Sequence, residues 1–599
     1  MAHADGRRVP VPRRVLAAVL AVTTAGLAAR LVALGWRIAH WDEARVAYWA
    51  LEAARTGVFE YRPIIHGPLL QHADRLLFGV LGPSDFAIRL PVAVVGGLLP
   101  LAALLFRARL DDRELAGLAL LLAFDPTLLY YSRFMRSDVL VGAFCFLAFG
   151  LAVRAIDTGR RRYLVVAGLA LGLGFASKEN AIAYVACWLG ALVVPLDHRL
   201  LLAGGRRRLA VLRTAVRDAA AGLARAAPAL PFALLAFLGV VVWAYAPRDP
   251  APGAVSLGNA LADPSLWPAV IERATVGSAR KAADLWVGMG IEGDESNGYP
   301  VFLGALLKDV GLASAATALL GIGGFLADRY SGDPRALPAF AFAWAAASLV
   351  GYPAITDIPA PWLGVHLVLP LAVPGAVALG RLAAWARTRA GSVDAVPVRG
   401  TIPGTSSLRA RLWAARVPLV VLLLVALQLG GVGAYTAFVA PQDATNELAQ
   451  YGQPAGKMRP ALDRMAATAP GNDGPDVLLY GPFLVDGGGS TDFRQPGCAR
   501  WFNALPLPWY TVRANATVTC AADPVAFPGD PPPVVIANAS EVDATVRATL
   551  ADAGYEGRTY RLRRSDTPVV VFFGPGAVGG PGTPGSEGEG GAPGGKPQR

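Results

Sequence analysis

The chain has 599 residues, 54% of them hydrophobic and only 17% charged, with a net charge of +11. Soluble globular proteins carry about 25% charge, so the composition argues against a soluble enzyme and a disordered chain. Four cysteines are too few for a disulfide framework. The basic excess sits between long apolar runs, where it reads as membrane topology rather than as a nucleic-acid surface; no nucleic acid partner is expected.

A spanning helix needs roughly 20 mostly apolar residues. Eleven runs qualify as candidates: 15–35, 86–106, 114–131, 137–153, 163–177, 180–196, 229–246, 303–327, 336–353, 363–384 and 417–438. Arg7, Arg8, Arg13 and Arg14 precede the first, which predicts a cytoplasmic N-terminus over 1–14. Basic residues also follow spans two, four and six, and precede span eleven. The expected protein is therefore multi-pass in the plasma membrane, with the segment after span eleven on the exterior.

The first exterior loop, 36–85, is the richest in polar residues. Asp42 and Glu43 stand at the exit of the first span, before an amphipathic stretch over 45–55 suited to the membrane surface. A second amphipathic stretch covers 72–80. Functionally, the carboxylate pair could act as general base on a hydroxyl. Structurally, the two acids could hydrate a helix end or pair with Arg45. His40, His66 and His72 share the loop, which leaves a divalent metal open, but their spacing matches no tight metal motif. No cofactor is assigned.

The next exterior turn holds Arg133, Arg136 and Asp138, against the positive-inside trend. Arginines there could hold a lipid-linked phosphate or simply pair with nearby acids. Lys178 and Glu179 form a similar charged turn. Trp362 suits the interfacial aromatic belt, and His366 lies one turn into the next span, buried with a partner or lining a polar cavity. Residues 440–573 read as a small exterior α/β domain, with strand-like runs at 476–480, 534–537 and 569–573 and helix-like segments at 444–468 and 540–554. Cys498 and Cys520 could pair there, and both N-x-S/T sequons, at Asn515 and Asn538, fall in it. The Gly/Pro-rich tail, 574–599, is expected to be disordered.

The Asp42-Glu43 pair, the following amphipathic helix, His66-Gly67-Pro68-Leu69 and the run Phe86 to Pro91 together resemble the protein O-mannosyltransferases of glycosyltransferase family 39 and the related aminoarabinose transferases. The Ser-Arg-Phe-x-Arg-Ser-Asp turn, Ser-Lys-Glu-Asn and Pro-Trp-Leu-x-Val-His-Leu further resemble an archaeal branch named as flippase-activity-associated. The resemblance covers roughly 15–440. It implies a polytopic α-helical membrane protein of the GT-C fold over 15–439. It also implies an inverting hexosyltransferase that takes sugar from a polyprenyl-phosphate donor and passes it to a glycan, lipid or protein acceptor. Asp42 is then the general base, Glu43 orients a substrate, and Arg133 and Arg136 hold the donor phosphate. His66, Asp138, Lys178, Glu179, Trp362 and His366 line the substrate site. Gly67 replaces a proline and Gln71 a lysine of the mannosyltransferase pattern. The alternative is a non-catalytic accessory of a lipid-linked glycan flippase.

Overall fold

The computed structural model describes residues 10–578 except 64–65, 193, 195, 198–199, 201–202, 204, 285–297, 357, 396–414, 487–496 and 565. Most of the tail expected over 574–599 lies outside the described residues. The chain divides into two compact units, residues 1–456 with 563–565, and residues 457–562 with 566–599. The first unit thus runs past the expected boundary at 440.

The first unit is helical. Seven of its described helices are long and apolar enough to cross a membrane: Arg13–Leu31 (α1), Ala87–Phe106, Ser137–Thr158, Arg207–Tyr245, Ala336–Ile355, Pro361–Arg389 and Arg416–Val439. The runs at 163–177 and 180–196 form the shorter apolar helices Arg162–Ser177 and Ala181–Ala191. The run 303–327 is not one straight span. Tyr299–Ala313 and Ala315–Arg329 meet at 98°. Buried Asp125 stands at this break and at one in the run 114–131, where Pro126 also interrupts the helical ladder. Its carboxylate accepts from Ser314 Oγ (2.9 Å) and Thr317 Oγ1 (2.7 Å) beside the first break. It also accepts from the Thr127 and Leu128 amides, capping the helix Pro126–Tyr131.

The first loop folds into two helices, Trp41–Thr56 (α2) and Pro68–Leu81 (α3). α2 starts four residues before the expected 45 because His40 and Glu43 form a capping box. The Asp42 amide donates to His40 Nδ1 (3.0 Å), and the His40 amide donates to Glu43 Oε2 (2.8 Å). The acidic pair therefore lies in the first turn of a helix, where the macrodipole favours negative charge. α3 opens on Pro68, whose missing N–H is no loss at a helix start.

The second unit carries a five-stranded sheet, β1 (Val477–Tyr480), β2 (Val518–Ala521), β3 (Val534–Asn538), β4 (Glu556–Arg561) and β5 (Pro568–Phe573), in the order β2-β1-β3-β5-β4. β1 pairs in parallel with β2 and β3, while β5 runs antiparallel to β3 and β4. The three strands read from the sequence are the buried central ones. The two edges escaped because β2 is only partly buried and β4 is mostly exposed and polar. Leu478, Val535, Val570 and Phe572 pack against Val546 and Leu550 of the helix Ala544–Asp552. Cys498 and Cys520 are disulfide-bonded.

The two sequons differ in access. Asn515 is exposed, whereas Asn538 is 9% exposed and its Oδ1 accepts from the Ser540 amide and hydroxyl. Expression through a glycosylating secretory pathway is expected to modify Asn515 and leave Asn538 bare, read by peptide mass and by the Asn515→Gln variant. Modification of Asn538 instead would contradict this burial.

Candidate functional site

Glu43 is the anchor of the first loop. It is fully buried, and its oxygens accept from Arg37 Nη2 (2.8 Å), Arg89 Nε and Nη2 (2.8 Å each), the Met135 amide (2.7 Å) and the His40 amide. Burial alone would raise its pKa; the Arg37 and Arg89 guanidiniums outweigh it and hold the carboxyl far below the usual range. Arg89 also donates to the Leu34 and Arg37 carbonyls. One carboxylate thus ties together the end of the first span, the start of the second and the turn before Ser137–Thr158 (α4). This corrects the expected role of Glu43: a carboxylate saturated by four partners holds the framework and has no lone pair left to orient a substrate.

A strap after the last span closes over the same place. Gln453 Oε1 accepts from Arg37 Nη1 (2.7 Å), Gln442 Oε1 from the Ile38 amide (2.8 Å), and Gln450 Oε1 lies 2.7 Å from His40 Nε2. These contacts are why the first unit extends to Gly456.

Asp42, one residue before the anchor, faces a second cluster. Its carboxylate pairs with the Arg136 guanidinium and keeps 7% side-chain exposure. Arg136 Nε also donates to Asp138 (3.1 Å), and the guanidinium stacks on Trp362 at 3.4 Å. Asp138 accepts in addition from Lys178 Nζ (2.8 Å) and lies 3.3 Å from His366 Nε2. His366 Nδ1 is 2.6 Å from the Tyr184 hydroxyl, and its ring stacks on Tyr352. His66 accepts from the Ser137 amide through Nδ1 (3.3 Å), which leaves Nε2 as the protonated nitrogen. That Nε2 is buried without a hydrogen-bond partner among the described residues.

The loop reaches this cluster by a close approach. The Gly67 amide donates to the Ser177 carbonyl (2.8 Å), and a Cβ on Gly67 would meet the Ala176 carbonyl oxygen at 2.4 Å. Only glycine lets His66 sit beside the Lys178 turn, at the end of Arg162–Ser177 (α5). The departure from the mannosyltransferase pattern at this position is therefore a packing requirement of this chain.

Charge in the cluster is balanced between Asp42 and Asp138 on one side and Arg136 and Lys178 on the other. Burial alone would raise the Asp42 pKa; Arg136, together with His40, His66 and Arg45, outweighs it and holds the carboxyl below its ordinary value. Burial pushes His40 down to about 4 and His66 down to about 3, so both imidazoles are neutral at physiological pH.

Two expected site residues, Arg133 and Glu179, go elsewhere, as does the loop histidine His72. Arg133 Nη1 donates to the carbonyls of Ala29, Arg30 and Val32, closing the C-terminal end of α1. It is therefore a helix cap, not the phosphate ligand expected from the turn. Glu179 accepts from the Tyr61 hydroxyl, and burial raises its pKa. His72 contacts the Ala244 carbonyl through Nε2 (2.7 Å). With His40 on Gln450 and His66 on Ser137, the loop histidines have three separate partners. Among the described residues no three His, Cys, Asp or Glu side chains converge on a point that could hold a metal ion.

Sequence reading missed Arg37, Arg89 and the glutamine strap. Arg89 was visible as a charge at the edge of a span, an expensive position that calls for a partner. The glutamines carry no local signal, since their partners lie some 400 positions away in the chain.

Two stretches match family models. Residues 65–216 match the dolichyl-phosphate-mannose-protein mannosyltransferase model, and residues 458–574 match the Agl23 flippase-associated protein C-terminal domain. Among solved structures, ArnT from Cupriavidus metallidurans bound to undecaprenyl phosphate is 17% identical, covering 94% of this chain and 99% of that one with a TM-score of 0.50. Its apo state is 18% identical, covering 92% and 97%, also at 0.50. No curated protein matches the chain. The GT-C resemblance read from the sequence holds: this is a multi-pass membrane chain with the GT-C glycosyltransferase fold and a small C-terminal sheet domain.

Proposed function

We propose that this chain transfers a hexose from a polyprenyl-phosphate donor to a hydroxyl of a glycan, lipid or protein on the exterior face of the plasma membrane. The observation that carries the reading is the pairing of Asp42, on the first turn of a loop helix, with Arg136, and of buried Asp138 with both Arg136 and Lys178. Asp42 takes the acceptor proton as the acceptor oxygen attacks the anomeric carbon. The bond from that carbon to the phosphate oxygen breaks, and its electron pair leaves on the phosphate. Arg136 and Lys178 meet the charge that develops there. One displacement inverts the anomeric carbon. His66 Nε2, a buried donor in want of an acceptor, suits a sugar or phosphate oxygen.

The resting ion pair gives this scheme an order. While Arg136 sits on Asp42, the carboxylate is a weak base. A donor phosphate that draws Arg136 away restores its basicity, so acceptor activation waits for the donor. Arg136→Gln is therefore expected to raise the Asp42 pKa, because the lowering charge is gone and burial remains. The acid limb of the pH–rate profile then moves to higher pH by roughly 1–3 pH units. An unmoved limb would mean that Asp42 is not the titrating base.

The test of the reading is transfer by purified protein from a panel of polyprenyl-phosphate sugars, with and without a chelator to decide whether a divalent ion takes part. The second reading, an accessory of a lipid-linked glycan flippase, is favoured by the match of residues 458–574 to a flippase-associated domain. Binding of lipid-linked sugar without any transfer would select it.

A further inference from the structure

The helix Gly205–Ala226 (α6) precedes Leu230–Tyr245 (α7), and the two form one candidate span of 39 residues, Arg207–Tyr245. At 1.5 Å per residue that is about 58 Å, nearly twice the roughly 30 Å of a bilayer's hydrocarbon. α7 is the apolar part, so α6 stands outside the hydrocarbon. It carries Leu209, Leu212, Val216 and Leu223 on one side, 59%, 40%, 67% and 62% exposed. Their spacing of three, four and seven residues makes a single stripe along the helix. Arg213 and Arg217 border the stripe on one side and Arg208 on the other, with Arg207 and Arg225 further round. Six arginines and a single acid, Asp218, lie on α6, and these five arginines and Asp218 are exposed.

We infer that α6 lies down on the membrane surface at the end of α7, its leucine stripe in the lipid and its arginines on anionic headgroups. The join is built to bend. Pro228 and Pro231 lack the N–H that would continue the helical ladder, and a 3-10 turn, Ala227–Ala229, stands between the helices. Arg161 Nε donates to the Arg225 carbonyl (3.0 Å), which holds the base of α6 near the bilayer end of α5. The same spacing would suit a second copy of the helix. Arg208 and Arg213 flank the stripe, however, and would face like charges across such a pair. An anionic lipid surface satisfies both the stripe and the charge.

The test uses the full chain in nanodiscs with an environment-sensitive thiol dye. Cys145 and Cys187 are buried and Cys498 and Cys520 are bonded, so added cysteines label selectively. Val216→Cys reports the stripe and Thr214→Cys the opposite face. With phosphatidylglycerol present, the dye at 216 is expected to shift to the blue and become quenchable by brominated lipid, and the dye at 214 is not. In phosphatidylcholine alone neither shifts. Arg213→Gln and Arg217→Gln each weaken the phosphatidylglycerol response about 5-fold. A dye at 216 that stays in water in both lipids overturns the inference. So does a shift independent of phosphatidylglycerol that grows with the number of copies per disc, which would assign the stripe to a second copy.

Discussion

Asp42→Asn is expected to lower the transfer rate by roughly 10²–10⁴-fold while the protein keeps its melting temperature. The substitution preserves shape and removes the carboxylate proposed to take the acceptor proton. Asp138, the other carboxylate, is fully buried and engaged by Arg136, Lys178 and His366. The fold should tolerate the change because Arg136 retains Asp138 and Trp362 as partners. Initial rates at saturating donor, beside detergent-solubilised thermal melts, check both halves. Equal rates in the two proteins would place the base elsewhere.

Glu43→Gln is expected to do the reverse of a clean active-site lesion. It removes the Glu43 charge from buried Arg37 and Arg89, and breaking a buried pair from one side costs about 3–5 kcal/mol. The capping box of α2 weakens as well. Yield and melting temperature should fall sharply, with activity lost in proportion to folded protein. A stable, well-folded Glu43→Gln protein without transfer would return Glu43 to the reacting machinery.

Much of this molecule is readable from its residues, and the failures have a physical pattern. Long apolar runs declare spans because a lipid-facing helix needs a continuous apolar surface. A buried polar node such as Asp125 acts on a helix far away in the chain without altering that helix's own hydropathy, and the break at Ser314 was invisible for that reason. In the site, the clustering of charges on loops pointed to Asp42, Arg136, Asp138, Lys178, His66, Trp362 and His366, which the structure links by hydrogen bonds, ion pairs and stacking, His66 through the backbone of Ser137. The division of labour within that set was not legible. Asp42 and Glu43 are chemically equivalent as letters, and only the arrival of Arg37, Arg89 and Arg136 from separate elements distinguishes them. Arg133 and Arg136, equally alike in sequence, part in the same way: one meets free carbonyls at a helix end and the other meets carboxylates.

That a single peptide bond separates the anchor from the carboxylate proposed as the base bears on how such proteins diverge. A lineage can abandon turnover by one codon change at Asp42 and keep its architecture, whereas the neighbouring codon is closed to it. Descendants that serve as non-catalytic companions should then retain the glutamate and vary at the aspartate. The distribution of those two letters across relatives would sort enzymes from companions without any assay.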